Sequence, residues 1–162
     1  MKEMERVNKI LQHSQYRHNL DKIEMMEMER VYCHHNLQHC IDVARVGYII
    51  ALERNFKLAK EIIYAAALLH DIARWEQYES GADHAVSSAK FAYKILEDCC
   101  FTKDEIKMIL EAIKKHRTGQ NLTSELDYVL YEGDKQSRLC VDCHSIKNCK
   151  RFTGGIGPTI NY

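Results

Sequence analysis

Residues 64–75 read YAAALLHDIARW and combine a run of alanine and leucine with two side chains that commonly bind metals. The uninterrupted small and aliphatic residues predict a helix that is buried on most of its surface. His70 and Asp71 come at the end of this run, and polar side chains in apolar surroundings require polar partners. We therefore expect other segments of the chain to bring complementary ligands to this point.

Length and composition indicate one globular domain. The chain has 162 residues, 46% of them hydrophobic, which is enough for a substantial core. Lysine plus arginine and aspartate plus glutamate number 23 each, so no overall field attracts nucleic acid or an anionic membrane. We expect neither as a partner, and nothing in the pattern specifies an oligomeric state.

The sequence predicts a cytoplasmic location. The apolar run near residues 62–69 is far shorter than the roughly 20 residues that span a bilayer. The polar N-terminus, MKEMERVNKI, is unlike a signal peptide. Seven cysteines are an odd number, and several lie within helical patterns, which suits reduced thiols or metal ligands better than a secreted disulfide framework.

The distribution of proline and glycine predicts an all-α fold. The only proline is Pro158, and six of the seven glycines lie at or after Gly81. Apolar periodicity indicates a bundle of about six to seven helices, one of them running from residue 58 to about residue 75. An earlier helix carries Leu20, Ile23, Met26 and Val31 as its apolar residues.

The helical pattern fades after Leu139, which divides the chain in two. We predict a helical domain over 1–139, whose motif-bearing core covers about 30–139. The remainder, 140–162, is predicted to be an irregular Cys-rich tail that becomes Gly-rich at 153–155.

Polar metal ligands occupy apolar faces near the ends of several predicted helices. His39, for example, shares a face with Val43, Val46 and Ile50. Asp83 is placed to cap a helix that starts at His84, and a Thr102–Glu105 capping box starts another helix. A helical bundle can bring such residues to one point. The candidate ligands are His39, His70, Asp71, His84, His116 and Asp134.

The chemistry of these candidates restricts the metal. Imidazole together with carboxylate suits iron, manganese or zinc, whereas magnesium and calcium prefer mainly oxygen ligands. We expect divalent metal ions, with iron or manganese first and zinc or magnesium as alternatives.

The order His39, His70-Asp71, Asp134 resembles the H…HD…D pattern of the HD-domain metal-dependent phosphohydrolases, over about residues 30 to 140. Residues 65–71, AAALLHD, resemble the AALLHD helix of that superfamily. The chain also resembles the small bacterial single-domain members of that superfamily that end in a Cys-rich tail. The resemblance implies an all-helical bundle in which these four residues bind one metal and Asp71 bridges to a second.

His84 and His116 determine the expected number of metals. They resemble the additional ligands of two-metal HD proteins, which read H…HD…H…H…D, so we predict two metals per chain. In the alternative, His84 only begins a helix and His116 makes a hydrogen bond at a helix C-terminus, where a cationic imidazole is favourable. The site then holds one metal.

Residues 35–39, HNLQH, followed by Asp42-Val43, resemble the HNxxHxxDV motif of cyclic-nucleotide phosphodiesterases. The first histidine of that motif donates a proton to the leaving group, which makes His35 a candidate catalytic acid. In the alternative, His35 or the neighbouring His34 is only a solvent-facing loop residue.

Three basic residues lie near the candidate ligands along their helices and are candidates for binding phosphate oxygens. They are Arg74, Lys135 and Arg138. Arg138 is the strongest of them because it lies four residues after Asp134 and shares its face. Each is otherwise a solvated surface charge.

The resemblance implies an enzyme that hydrolyses a phosphate ester or anhydride through a metal-activated hydroxide, with Asp71 at the catalytic centre. Residues 112–119, AIKKHRTG, resemble the AIxxHTTG motif of HD-type dinucleoside tetraphosphatases. The expected partner is therefore a small phosphorylated substrate, a nucleotide or nucleoside polyphosphate. The alternatives are a di-iron oxygenase of the same superfamily and a non-catalytic metal-binding regulatory domain.

The tail contains a possible second metal site. Cys140 and Cys143 form a C-x2-C pair, and Cys149 follows them. Such spacing suits structural zinc or iron–sulfur ligation. The alternative is a set of reduced thiols, because the usual second C-x2-C pair is absent.

Overall fold

The computed structural model describes residues 4–152, 154 and 157–162. Residues 1–3 of the predicted domain, and 153 and 155 of the predicted Gly-rich stretch, lie outside these described residues. The all-α fold is confirmed, and the described residues contain eight α-helices and no strand. The helices are α1 (Glu5–Gln12), α2 (Ser14–Met26), α3 (Leu37–Glu53), α4 (Lys60–Leu69), α5 (Arg74–Ser80), α6 (His84–Asp98), α7 (Lys103–Lys115) and α8 (Glu125–Gln136).

Helix α4 is the centre of the bundle, as its alanine- and leucine-rich sequence predicted. All its residues except Lys60, Glu61 and Tyr64 are buried. It contacts α1, α3, α6, α7 and α8. Its alanines allow neighbouring helices to approach closely, while each buried leucine or isoleucine stabilises the fold by about 2 kcal/mol. The end of α4 therefore lies deep in the core.

The predicted helix from 58 to about 75 is wrong in its second half, because α4 ends at Leu69 and α5 begins at Arg74. The intervening residues form a tight turn, in which the Arg74 amide donates to the Asp71 carbonyl at 2.8 Å. The Ala73 amide donates to Ser88 Oγ at 3.0 Å instead of continuing the helical ladder. A partner from α6 thus favours the break that follows His70-Asp71.

Side-chain caps fix the first turns of the other ligand-bearing helices. Asp83 accepts hydrogen bonds from two amides at the start of α6, and Thr102 and Glu105 form a capping box on α7, both as predicted. Asn36 caps α3 by accepting from the His39 amide at 3.0 Å. Each such cap contributes about 1 kcal/mol. The caps determine the residues at which the helices begin, and hence the rotation of their ligands.

Two glycines permit close contact between α3 and α8. A Cβ atom added at Gly133 would lie 3.0 Å from the Val43 carbonyl oxygen and 3.4 Å from the Gly47 Cα. A larger residue would therefore force the helices apart. Because Asp134 directly follows Gly133, this close approach brings the Asp134 carboxylate towards α3.

The second helix is shorter than predicted. Helix α2 ends at Met26, and Val31 lies in the following loop with 75% of its surface exposed. Glu27 instead takes the buried position after Ile23. Hydrophobic periodicity extended the helix too far because an exposed valine and a buried glutamate both depart from the expected pattern.

The described residues of the tail form three short 3-10 turns and no regular helix. They are Cys140–Asp142, Ile146–Asn148 and Lys150–Phe152, and none of them contains a buried residue. The Ser145 hydroxyl donates to the Val31 carbonyl at 2.8 Å, which connects the tail to the loop before α3. Among the described helices, none has the length and apolarity to cross a membrane.

Candidate metal centre

The fold brings all six predicted ligands together at one buried point. His39 lies in the first turn of α3, and His70 and Asp71 follow α4. His84 begins α6, His116 caps the end of α7, and Asp134 lies near the end of α8. All six side chains are buried. Five helices or helix ends thus contribute ligands to a centre that no single segment contains.

Asp71 joins two groups of potential ligands. One group is His39, His70 and Asp71, the other is Asp71, His84 and His116, and the ligand atoms in each lie within 4.8 Å of one another. Asp71 Oδ2 lies 3.1 Å from His70 Nε2, while Oδ1 lies 3.1 Å from His84 Nε2 and 3.5 Å from His116 Nε2. The two carboxylate oxygens therefore face different sets of imidazoles.

Asp134 closes the end of the centre nearest α3. Its Oδ1 atom lies 3.2 Å from His39 Nε2 and 3.8 Å from His70 Nε2. Asp134 is thus placed as a fourth ligand beside the first group, on the side opposite His84 and His116.

Hydrogen bonds to backbone carbonyls orient two of the imidazoles. His70 Nδ1 donates to the Ala67 carbonyl at 2.7 Å, and His116 Nδ1 donates to the Ile113 carbonyl at 2.6 Å. Because a carbonyl only accepts, Nδ1 carries the proton in both rings. The Nε2 lone pairs then point into the centre, which is the usual arrangement of metal-binding histidines.

The polar atoms of the centre fit a divalent cation. Among the described residues, His70 Nε2 and Asp71 Oδ1 are buried and make no hydrogen bond of good geometry, although other ligand atoms lie close to both. A buried polar atom without a partner costs about 1–3 kcal/mol. A bound cation would satisfy both atoms at once, and the mixture of imidazole and carboxylate suits iron, manganese or zinc.

The electrostatics favour ionised carboxylates and a neutral His39. Burial raises the pKa of Asp71 and of Asp134, but nearby histidines outweigh burial and hold both pKa values well below the usual range. Burial, aided by the charge of Arg138, lowers the pKa of His39 to about 4. His39 is therefore uncharged at neutral pH, as a metal ligand requires.

The three predicted phosphate-binding residues border this centre. Arg138 Nη2 lies 3.1 Å from His39 Nε2 and 3.1 Å from Asp134 Oδ1. Arg74 Nη1 lies 3.0 Å from both ring nitrogens of His84, and Lys135 donates to Asp134 Oδ2. Each positive charge is thus within reach of an anion that enters the centre.

Comparison with known proteins identifies the family. The sequence profile of the HD domain matches residues 36–146, which is more than half of the chain. The chain belongs to the HD-domain family. A Clostridium beijerinckii protein of uncharacterised function is 39% identical over 146 residues, which cover 90% of this chain and 92% of that protein.

Two further similarities are to a predicted hydrolase of known structure and to a ribonuclease. The crystal structure of a predicted HD superfamily hydrolase from an uncultured Thermotogales bacterium matches 74% of this chain and 66% of that chain, with a TM-score of 0.59 and 28% identity. Ribonuclease Y of Mycoplasma mycoides is 29% identical over 115 residues, which make up 71% of this chain but 25% of that protein. The chain thus spans about a quarter of Ribonuclease Y. These comparisons support an HD-superfamily hydrolase.

His35 is buried beside the HD centre. It is 4% exposed, so the alternative in which it faces solvent is wrong, whereas His34 is exposed as that alternative expected. His35 Nε2 lies 3.8 Å from Asp71 Oδ2. The imidazole therefore lies next to the HD ligands with its Nε2 atom directed towards them.

Glu27 holds His35 in this position, and the sequence analysis did not identify it. Its carboxylate accepts from His35 Nδ1 at 2.5 Å and from the His35 amide at 2.7 Å. The Tyr78 hydroxyl also donates to Glu27. The sequence does contain a sign of its role. Glu27 lies four residues after Ile23 and seven after Leu20, at a position where the helical pattern predicts an apolar side chain.

The buried Glu27 makes stability depend on pH. Burial raises its pKa, but hydrogen bonds from His35 and Tyr78 outweigh burial and lower it from 4.5 to about 2. Since the folded pKa is the lower one, the stabilisation is complete above about pH 4.5 and disappears as the pH falls to about 2. We expect the free energy of unfolding of Glu27→Gln to be about 3 kcal/mol lower than that of the unmodified protein at pH 7. The difference should become smaller at acidic pH.

Urea unfolding of the metal-free proteins between pH 7 and pH 2.5 measures this difference. The exposed Glu29, two residues away, provides a control, and Glu29→Gln should have the stability of the unmodified protein at each pH. A constant difference between Glu27→Gln and the unmodified protein over this range would contradict an ionised, hydrogen-bonded Glu27.

The tail cysteines lie near one another along consecutive 3-10 turns, and the Cys143 amide donates to the Cys140 carbonyl at 3.3 Å. Both ligand groups within 4.8 Å that the described residues form belong to the HD centre, so Cys140, Cys143 and Cys149 do not make a third. A metal at these cysteines stays a prediction. If this prediction is correct, native mass spectrometry will find one metal ion fewer per chain in Cys143→Ser than in the unmodified protein. An unchanged metal content would exclude a metal at these cysteines.

Proposed function

We propose that this protein is a two-metal phosphohydrolase that acts on a small phosphorylated metabolite of the nucleotide class. The observation that carries the proposal is the position of Asp71 between two groups of ligands, one at each carboxylate oxygen. A shared carboxylate of this kind suits a pair of metals, and His84 and His116 then have a ligand role that a one-metal centre would not give them.

Divalent metals bound to such a centre activate water as a nucleophile near neutral pH and neutralise the charge of the phosphoryl group. The protein residues would bind and orient the substrate. Arg138 and Arg74 are placed to donate to phosphate oxygens from opposite ends of the centre, and Lys135 adds charge beside Asp134. Their present partners are the ligands themselves, so we expect these side chains to turn towards phosphate when substrate binds.

His35 would act as the proton donor. In hydrolysis of an ester, the bond between phosphorus and the leaving oxygen breaks while the oxygen of water bonds to phosphorus. The departing alkoxide requires a proton, which His35 Nε2 would supply. Glu27 would be a positioning residue, because it fixes the ring through Nδ1.

We further propose that residues 1–139 form the catalytic domain. The match to the HD profile ends a few residues into the tail, at residue 146. The first turn of the tail follows Arg138 directly. The tail would therefore lie beside the substrate site even though it supplies none of the six candidate ligands.

The test is phosphate release from mononucleotides, cyclic nucleotides, nucleoside triphosphates and dinucleoside polyphosphates. The protein is first loaded anaerobically with ferrous iron or with manganese, because thiols and ferrous iron both oxidise in air. We expect selective turnover that requires metal. Absence of phosphate release from fully loaded protein would contradict the proposal, and oxygen consumption by the iron form would then identify the oxygenase alternative.

The similarity to Ribonuclease Y favours a second candidate, cleavage of phosphodiester bonds in RNA. The balanced charge of the chain gives no overall field that attracts a long nucleic acid, so short oligoribonucleotides are the appropriate substrates. A labelled RNA of about ten nucleotides, incubated with the loaded protein, separates the two candidates. Cleavage of the RNA without phosphate release from mononucleotides would favour the ribonuclease candidate.

A further inference from the structure

A cavity of about 440 Å³ adjoins the HD centre between the loop before α3 and the tail. His39 and Arg138 line it on the side of the centre. Tyr32 and Asn36 contribute from the loop, and residues 139–145 contribute from the tail. The volume is typical of a site for a small organic ligand. The cavity is thus placed to hold the part of a substrate that extends beyond the phosphate in the centre.

The charges around this cavity are unfavourable for additional phosphates. Arg138 is the only arginine or lysine among the described residues that line it, and its guanidinium already contacts Asp134. Two carboxylates, Asp42 and Asp142, line the same space. Asp42 accepts a hydrogen bond from the neutral Gln38 amide at 2.8 Å, and the nearest cation paired with it is an exposed Arg45 at 3.8 Å, so its charge is only weakly compensated. The lining histidines are His34, His39 and His144.

Neutral polar and aromatic groups form much of the remaining wall. Asn36 Oδ1, Gln38 Nε2 and Ser145 Oγ already make hydrogen bonds within the protein. The other polar atom of each amide, Asn36 Nδ2 and Gln38 Oε1, and the acceptor lone pairs of the Ser145 hydroxyl are the groups that a ligand would meet, together with the partly exposed ring of Tyr32. Amide and hydroxyl groups suit the polar edge of a sugar or base, and an aromatic ring suits stacking. The wall therefore matches an uncharged, ring-containing group better than a chain of phosphates.

We propose that this cavity binds the leaving group of a phosphomonoester, and that Asp42 and Asp142 select against substrates with more than one phosphate. The proposal rests on the proposed phosphohydrolase function and narrows its substrate to the class of nucleoside monophosphates. Of the two substrate classes expected from sequence, a nucleotide or a nucleoside polyphosphate, it retains the first and not the second. A triphosphate would place extra negative charge beside two carboxylates with no additional lysine or arginine in the cavity wall to compensate.

The proposed proton donor is consistent with an ester substrate. Water attacks phosphorus, the bond to the ester oxygen breaks, and the products are inorganic phosphate and an alcohol that takes its proton from His35. A phosphoanhydride would release a phosphate anion, which is stable without that proton. Proton donation by His35, which Glu27 holds in place, would therefore assist hydrolysis of an ester but is not required for hydrolysis of a polyphosphate.

The experiment compares kcat/KM for adenosine monophosphate, adenosine triphosphate and diadenosine tetraphosphate with the manganese-loaded protein. We expect the monophosphate to be preferred over both others by at least about tenfold. Asp42→Asn and Asp142→Asn should each reduce this preference about fivefold, and added salt should reduce it in the unmodified protein. Asp104→Asn is the control, because Asp104 lies at the opposite end of α7 from His116, and the preference should not change.

Binding of hydrolysis-resistant phosphonate analogues separates this inference from the proposed function. Calorimetry with mono- and triphosphate analogues measures the preference without turnover. A kcat/KM for the triphosphate that equals or exceeds that for the monophosphate would overturn the proposed selectivity, and so would equal binding of the two analogues. The proposed phosphohydrolase activity would still stand in that case. Preferred binding of the monophosphate analogue by a protein that releases no phosphate would support the cavity assignment and overturn the proposed activity. An unchanged preference in both variants would show that these carboxylates do not select the substrate.

Discussion

Asp71→Asn is expected to lose metal and phosphohydrolase activity together. Asp71 is the residue shared by both ligand groups, and its two oxygens face different imidazoles. Replacing one oxygen by an amide nitrogen removes the charge and one ligand atom. Loss of residues that merely orient ligands already weakens metal binding by 10–100-fold in other metalloproteins, so we expect about 100-fold or more here. Metal content by mass spectrometry and phosphate release measure the two effects.

A second buried aspartate supplies the matched control. Asp127 is 1% exposed and pairs with Lys115 at 2.6 Å, on the same helix as Asp134 but away from the centre. Asp127→Asn should lose about 1–3 kcal/mol of stability through the weakened pair, yet keep its metal and activity. Full metal occupancy in Asp71→Asn would show that Asp71 is not a shared ligand. Equal metal loss in both variants would indicate a general loss of structure.

His35→Gln is expected to slow hydrolysis of alkyl phosphate esters by about 10²–10⁴-fold while the metal content stays unchanged. Glutamine retains a hydrogen-bond donor for Glu27 but carries no proton to give to the leaving oxygen. The same variant should hydrolyse para-nitrophenyl phosphate less than about tenfold more slowly than the unmodified protein, because that leaving group departs without a proton. Comparison of kcat for the two kinds of ester distinguishes proton donation from a structural role.

His18→Gln is the control for that experiment, since His18 is exposed on α2 and takes no part in the centre. It should behave as the unmodified protein with both esters. If His35→Gln slows the two esters equally, His35 acts by holding the HD centre together. Loss of metal from His35→Gln would lead to the same conclusion.

The sequence alone determined the all-α fold and the positions of the six candidate ligands along it. Local rules were sufficient because a ligand on an apolar helix face must point inward whatever its neighbours are. Local rules also predicted the caps at Asp83 and Thr102, because a cap depends only on residues within one helical turn. The order of His39, His70, Asp71 and Asp134 then indicated the family, which the match to the HD profile and the similar HD superfamily structure support independently.

Only the tertiary structure decided how these residues act on one another. The turn after His70-Asp71 depends on Ser88, which lies 15 residues beyond Ala73 on another helix. The pairing of Glu27 with His35 depends on where the loop after α2 returns to the bundle. The cavity beside Arg138 exists because that loop and the tail, more than 100 residues apart, meet at Val31 and Ser145. Such contacts join residues distant in sequence, so helical periodicity, which relates only residues within a few turns, does not specify them.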